Sequence, residues 1–389
     1  MATLLVRGGT VYTPFDVISD GAVFARDGVI ERVGPASELR EAAGRVVDAS
    51  GLIVCPGFVD LQVNGGGGAL LTEQPTSEAL ETIAHAHVRF GTTSLLATVI
   101  TSSEPAMAAA LRAVAEAAGR PPAGARVLGV HLEGPFINPK RRGAHDERFI
   151  QQPDGGLFER LRAVAGGALR LVTLAPELAG APDLIAVARA GGAAVALGHS
   201  DASYEEARVV FEAGASVATH LFNAMPSVHQ RAPGLAGAAL AGDDVIVTLI
   251  ADGVHVHPAL LRLVARAKGA RGVALITDAM PPAGTDAASF RLGGREVAVR
   301  GGACYLPDGT LAGSALTMDR AVRLMRDLAG VSLRECLEMA TATPARALGL
   351  EREIGALTPG ARADIVVCDE ELNVRQVFVA GELAYARDE

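Results

Sequence analysis

The chain has 389 residues, enough for a large core, with few aromatics, no Trp and a formal charge of −9. That charge excludes nucleic acid as the main partner but leaves room for an anionic substrate held by a local cluster of basic residues. Cys55, Cys304, Cys336 and Cys368 form no C-x-x-C pair, and neither a signal-peptide pattern nor an apolar run of about 18 residues occurs, so a cytoplasmic protein without disulfides or membrane contact is expected.

The first fifty residues read as short strands and turns, among them Leu4–Gly9, Val11–Pro14, Gly21–Phe24 and Gly28–Ile30. The last thirty look similar, with strand-like Ala363–Cys368 and Val374–Val379 and a turn at Ala380–Glu382. Neither end makes a stable sheet alone, so residues 1–53 and 350–389 are expected to join as one small β-sandwich domain. Residues 54–349 alternate strand and helix. Eight apolar, β-branched runs centre on Ile53–Val63, Thr92–Ile100, Arg126–Leu132, Leu169–Leu174, Ala193–Leu197, Ser216–His220, Val245–Ile250 and Gly272–Thr277. Helix signals fall between them: a helical stretch over Thr76–Arg89, a capping box at Ser203–Glu206, and Pro182 with Gly191 at the two ends of a third. A further capping box lies at Ser332–Glu335, and Phe290–Leu311 reads as a β insertion. The rhythm is that of a (β/α)8 TIM-like barrel, whose site lies at the C-terminal ends of its strands. An open doubly wound sheet is the rival, weakened by the lack of a G-x-G-x-x-G after an early strand.

Side chains alternate faces along a strand, so Asp60, Gln62 and Asn64 share one face, as do His131 and Glu133. The fifth, sixth, seventh and eighth strands end in His199, His220, Asp252 and Asp278. Glu133, His199 and His220 form a carboxylate and two imidazoles suited to Zn2+ or Fe2+ in an open site. Such a metal lowers the pKa of a bound water, and Asp278 is placed as the general base and later acid. The first strand carries Gln62 and Asn64, poor ligands for a second transition metal, so one ion per subunit is expected, with Gln62 hydrogen bonding in the site. Other histidines and basic residues have blander readings. His85 and His87 fall in a helix, where residues two apart face different ways, and both read as surface or interface side chains. His255 directly follows the Asp252-Gly253 turn and is preferred to His257 as a site residue. Lys140, Arg141 and Arg142 read as a solvated loop, whereas Arg231, in the loop after the sixth strand, can hold a phosphate bidentately.

Pro56-Gly57-Phe58-Val59-Asp60, His131-Leu132-Glu133-Gly134-Pro135-Phe136, Gly198-His199-Ser200, Thr219 through Met225 and Thr277-Asp278-Ala279 resemble N-acetylglucosamine-6-phosphate deacetylases of the amidohydrolase superfamily. The resemblance continues through Gly313–Met318 and Pro359–Asp364. It implies hydrolysis of the acetamide of an N-acetylhexosamine 6-phosphate to the free amine and acetate, in amino-sugar catabolism. On the same resemblance Glu133, His199 and His220 hold the metal, Asp278 is the catalytic acid and base, and His145 polarises the acetyl carbonyl. It puts Ala144, Asn223, Ala224, Arg231 and His255 with the sugar phosphate, and Arg231 in the neighbouring active site of a homodimer. A deacetylase for the galactosamine epimer, and another amidohydrolase acting on an N-acyl or cyclic amide, stay open beside it. A barrel that only binds or scaffolds would not need Asp278 beside a full ligand set.

Overall fold

The computed structural model describes every residue except 1, 119, 121–123 and 388–389. Both chain ends build one eight-stranded sheet. Thr3–Tyr12, Val17–Arg26, Val29–Pro35, Arg45–Asp48 and Ile53–Pro56 come from the start, and Ile365–Cys368, Val374–Val379 and Glu382–Ala386 from the end. The two sets join where Ile53–Pro56 runs antiparallel to Ile365–Cys368. Alternation along the strands buries both faces, with Leu4, Val6 and Val23 in one cluster and Leu5, Ala22 and Phe24 in another.

The second large sheet is the barrel. Phe58–Val63, Thr92–Ile100, Arg126–Glu133, Leu169–Leu174, Ala194–Leu197, Val217–Ala218, Ile246–Ile250 and Val273–Ile276 follow one another in spatial order as in sequence. Their pairs are parallel throughout. The first and eighth strands close the ring by a bridge from Val63 to Ala279 and by the Asp60 carboxylate. Asp60 accepts from the backbone N–H of Thr277 at 3.2 Å and from its hydroxyl at 2.5 Å. Inside the strands lies a polar belt. The His131 ring meets the Thr173 hydroxyl at 2.7 Å, and that hydroxyl meets Thr219 at 2.7 Å.

The expected continuous strand Ile53–Val63 is two strands. Ile53–Pro56 belongs to the terminal sheet and Phe58–Val63 to the barrel. Gly57 alone separates them, and a Cβ there would stand 2.1–2.7 Å from the Thr93 side chain, so only glycine fits the joint. The expected Ser216–His220 strand shortens to Val217–Ala218, because the chain leaves the ladder at Thr219 and His220.

Helices follow the sequence signals. Ser77–Val88 is capped by Thr76, whose side chain accepts from the Ala79 N–H. Both expected capping boxes are formed, Ser203 with Glu206 and Ser332 with Glu335. Ala181–Ala190 begins with Pro182 in its first turn and ends at Gly191. His85 is exposed, but His87 is a correction to the surface reading: it is buried, and its Nε2 lies 2.9 Å from the Gly65 carbonyl. The helix faces the barrel on the His87 side, and burial holds that imidazole neutral by pushing its pKa down.

The insertion is a four-stranded antiparallel sheet, Ser289–Leu292, Arg295–Arg300, Ala303–Tyr305 and Leu311–Ser314. Its Leu292, Val297, Cys304 and Ala312 pack with Leu70 and Met280 beside the barrel mouth. No helix among the described residues is long and apolar enough to cross a membrane.

Candidate active site

At the C-terminal ends of the strands is a cavity of about 230 Å3. Glu133, His145, His199, His220 and Asp278 line it, and Leu70, Ile100, Met280, Leu292 and Ala312 form an apolar side.

Local backbone geometry aims the polar groups. His199 has φ 48°, His220 φ 33° and Asp278 φ 49°. Left-handed backbone is uncommon for residues other than glycine and concentrates at functional sites. At each of these positions the chain turns sharply out of its strand. The turn holding His220 is fixed from below, where its N–H donates to the Thr248 hydroxyl at 2.7 Å.

Three ligand atoms meet closely. His220 Nε2 is 3.0 Å from Glu133 Oε1 and 3.1 Å from His199 Nε2. His199 Nε2 is 3.3 Å from the same Glu133 oxygen. Ligands about 2.0–2.1 Å from a tetrahedral zinc stand about 3.3 Å apart, so the triangle fits one cation. The tautomer fits too. His199 Nδ1 lies 2.9 Å from the Arg141 carbonyl, which can only accept, so Nε2 carries the lone pair. Glu133, His145 and His199 also offer ligand atoms within 4.8 Å of one another. His145 Nε2, however, is 3.8 Å from Glu133 Oε2, so the His220 triangle is the tighter one.

Charges inside the site are strongly shifted. Burial would push the Glu133 carboxyl up, but its bonds to His199 and His220 pull it well below the ordinary range. Burial and the Glu133 charge raise Asp278, while burial holds His145 down at about 3, neutral at working pH. Gln62 donates to Glu133 Oε1 at 2.9 Å and to Asp278 Oδ1 at 3.2 Å. Asn64 donates to the same Asp278 oxygen at 2.8 Å. Both amides hold Asp278 through Oδ1, and neither takes Oδ2.

The remaining expected residues divide. Ala144, Asn223, Ala224 and His255 line the cavity with the ligand triangle. Arg231 does not: it is exposed at the turn of a small hairpin bridged from His229 to Ala232, away from the cavity lining of its own chain. The Lys140–Arg142 loop is not merely solvated. Arg141 pairs with Asp201 at 2.8 Å, and its carbonyl orients His199.

Several supporting roles were not read from the sequence, in which Asp252 was named only as a strand end. Asp252 Oδ2 accepts from His255 Nδ1 at 2.6 Å, fixing that ring; the Asp-Gly turn before a histidine was the available signal. Thr101 Oγ1 lies 2.8 Å from His145 Nδ1. Glu177 accepts from Asn138, from the Ser200 hydroxyl at 2.8 Å and from the Asp201 N–H at 2.6 Å, bracing the His199 turn. Nothing in the sequence pattern marks Thr101 or Glu177.

The amidohydrolase family model matches residues 53–384. An N-acetylgalactosamine-6-phosphate deacetylase of Escherichia coli O157:H7 is 37% identical, covering 98% of this chain and 99% of its own length. An N-acetylglucosamine-6-phosphate deacetylase of Bos taurus is 39% identical over 90% of this chain and 88% of its own. The crystal structure of N-acetylglucosamine-6-phosphate deacetylase from Pasteurella multocida superposes with a TM-score of 0.94 at 33% identity, covering 99% of this chain and 100% of that one.

Proposed function

The chain belongs to the amidohydrolase family, and from that premise we propose that it hydrolyses the acetamide of N-acetylglucosamine 6-phosphate to glucosamine 6-phosphate and acetate. The carrying observation is the meeting of Glu133, His199 and His220 within 3.3 Å of one another, with Asp278 hydrogen bonded to Asn64 and to Gln62, whose amide also donates to Glu133. Relatives and the similar solved structure bear deacetylase names for this class of substrate.

Glu133, His199 and His220 would hold a single divalent ion, Zn2+ before Fe2+, which when bound would supply Lewis acidity for the attack of water on the acetamide. Asp278 takes the proton from that water and returns it to the departing amine. Gln62 and Asn64 fix its carboxylate through one oxygen, leaving the other for the proton. His145 donates from Nε2 to the developing oxyanion. That role places the His145 proton on Nε2, with Nδ1 accepting from the Thr101 hydroxyl. Ala144, Asn223, Ala224 and His255 bind the sugar phosphate, with His255 oriented by Asp252. Leu70, Met280 and Ala312 give the acetyl methyl an apolar wall.

Arg231 completes the phosphate site of a neighbouring subunit in a homodimer. Its exposure and absence from its own cavity support that placement. Residues 1–53 with 350–389, and 54–349, are taken as the two domains. The four cysteines are all free, in keeping with the reducing cytoplasm.

A second reading is the galactosamine epimer, favoured by the name of the relative from Escherichia coli. One assay separates the readings: deacetylation of both epimers, with and without the 6-phosphate, on protein of measured metal content. Preference for the phosphorylated gluco substrate supports the proposal. Preference for the galacto epimer transfers the assignment, and hydrolysis of neither refutes it.

A further inference from the structure

A second cavity, of about 600 Å3, lies at the opposite end of the barrel from the ligand triangle. It is bounded by the turn Thr13–Phe15 of the terminal sheet and by Pro56, at the entry to the first barrel strand. Arg271, just before the eighth strand, and side chains of the helices Leu333–Ala340 and Ala342–Ala347 complete it. It shares no residue with the catalytic cavity.

Its lining is unusual for a chain of net charge −9. Four arginines, Arg271, Arg334, Arg346 and Arg352, face two carboxylates, Glu338 and Glu351. Some arginines elsewhere sit in ion pairs, such as Arg160 with Glu104 and Arg148 with Asp146, and others, such as Arg189 and Arg262, bond backbone carbonyls. Among the described residues, none of the four cavity arginines has a carboxylate oxygen within 4.0 Å.

Two of them are nevertheless held in place. Arg334 Nη2 donates to the carbonyls of Pro14 and Phe15 at 3.0 and 2.9 Å. Arg346 Nη2 donates to the carbonyl of Arg271. Among the described residues the other N–H groups of both make no hydrogen bond to protein. Burial and the nearby Arg271 charge push the Arg346 pKa down, an electrostatic cost that a bound anion would relieve. Fixed guanidinium forks with free donors are the arrangement that recognises phosphate. The volume exceeds what one small ion needs and falls in the range of small-molecule pockets. Tyr12 in the wall and Phe15, 75% exposed at the rim, offer aromatic surface.

We propose that this cavity, lined by Arg271, Arg334, Arg346 and Arg352, binds a phosphate-bearing organic molecule at a site separate from the catalytic one. The test is calorimetric titration of the full-length, metal-loaded protein with ADP and with inorganic phosphate. ADP should bind saturably and more tightly than phosphate. In the double variant R271Q/R346Q its affinity should fall by about tenfold or more, while deacetylation kcat/KM stays at the wild-type level. R352Q, a change on an exposed loop with no side-chain partner among the described residues, should weaken ADP in the same direction, so the proposal stays testable if the double variant does not fold. Equal affinity in wild type and variants would assign the binding to the catalytic cavity and overturn the proposal. Absence of saturable binding of either probe to the wild type would overturn it as well. Binding of both probes with equal affinity, lost in the variants, would keep the anion site and remove the aromatic contribution.

Discussion

Asp60 is the side chain that closes the barrel, and its pH behaviour should be measurable. It is fully buried with no cationic side chain paired to it among the described residues, and burial pushes its pKa from 3.8 up to about 7. Between those two values the unfolded chain has lost the proton and the folded chain keeps it. The folded state binds more protons there, so stability falls as pH rises through this window and is level above it. Three units at 1.36 kcal/mol each make the swing about 4 kcal/mol. Asp60→Asn does not titrate, yet it keeps an oxygen for the Gln62 and Thr277 N–H groups, while the Thr277 hydroxyl can turn to accept from the new amide. Denaturant unfolding of both proteins at equal metal content, at about pH 5 and about pH 8, gives the difference. The wild type should gain on the variant at the lower pH by a few kcal/mol. A gap between the two that does not change with pH would refute the reasoning. Asp60→Leu is the contrasting case: it leaves two backbone N–H groups buried and unpaired, at about 1–3 kcal/mol each, and should be destabilised at every pH.

Other perturbations separate the roles within the site. Asp278→Asn should lower turnover by about 10²–10⁴ with metal retained, and near-normal rates would remove Asp278 as the proton carrier. Metal analysis should find about one ion per chain, and Glu133→Gln should lose it; two required ions would contradict the single triangle. Thr101→Val should let the His145 proton move to Nδ1 and cost up to the roughly 10²-fold of a lost oxyanion donor, with metal content unchanged; unaltered kcat would show that Thr101 does not set the tautomer. Arg231→Ala should raise KM for the phosphorylated substrate and leave hydrolysis of the unphosphorylated sugar as it was. Equal loss on both sugars would detach Arg231 from the phosphate.

The site was legible where chemistry and periodicity coincide. Alternation put Asp60, Gln62 and Asn64 on one face, and all three are buried along the inside of the first strand. Strand ends gave His199, His220 and Asp278, because a barrel gathers such ends at one mouth. Other features depend on tertiary contacts that a local pattern does not carry. The left-handed backbone at those three residues is not marked by a glycine at the position itself, and the turn at His220 is anchored from below by Thr248. His87 read as a surface residue because a histidine in a helix gives no sign of which face meets the barrel. Glu177 and Thr101 act through residues distant in sequence, so spacing could not reveal them. The Ile53–Val63 run is apolar on both sides of Gly57, and hydropathy does not register a change of partner sheet.

That change of partner has a mechanical consequence. One residue is too short to act as a tether, so the outer sheet and the barrel are welded rather than linked. Cutting the chain there should leave two fragments that do not reassemble on mixing, and a spacer inserted there should destabilise the intact chain, since Thr93 and the Ile365–Cys368 strand are both fitted to an uninterrupted backbone at this point.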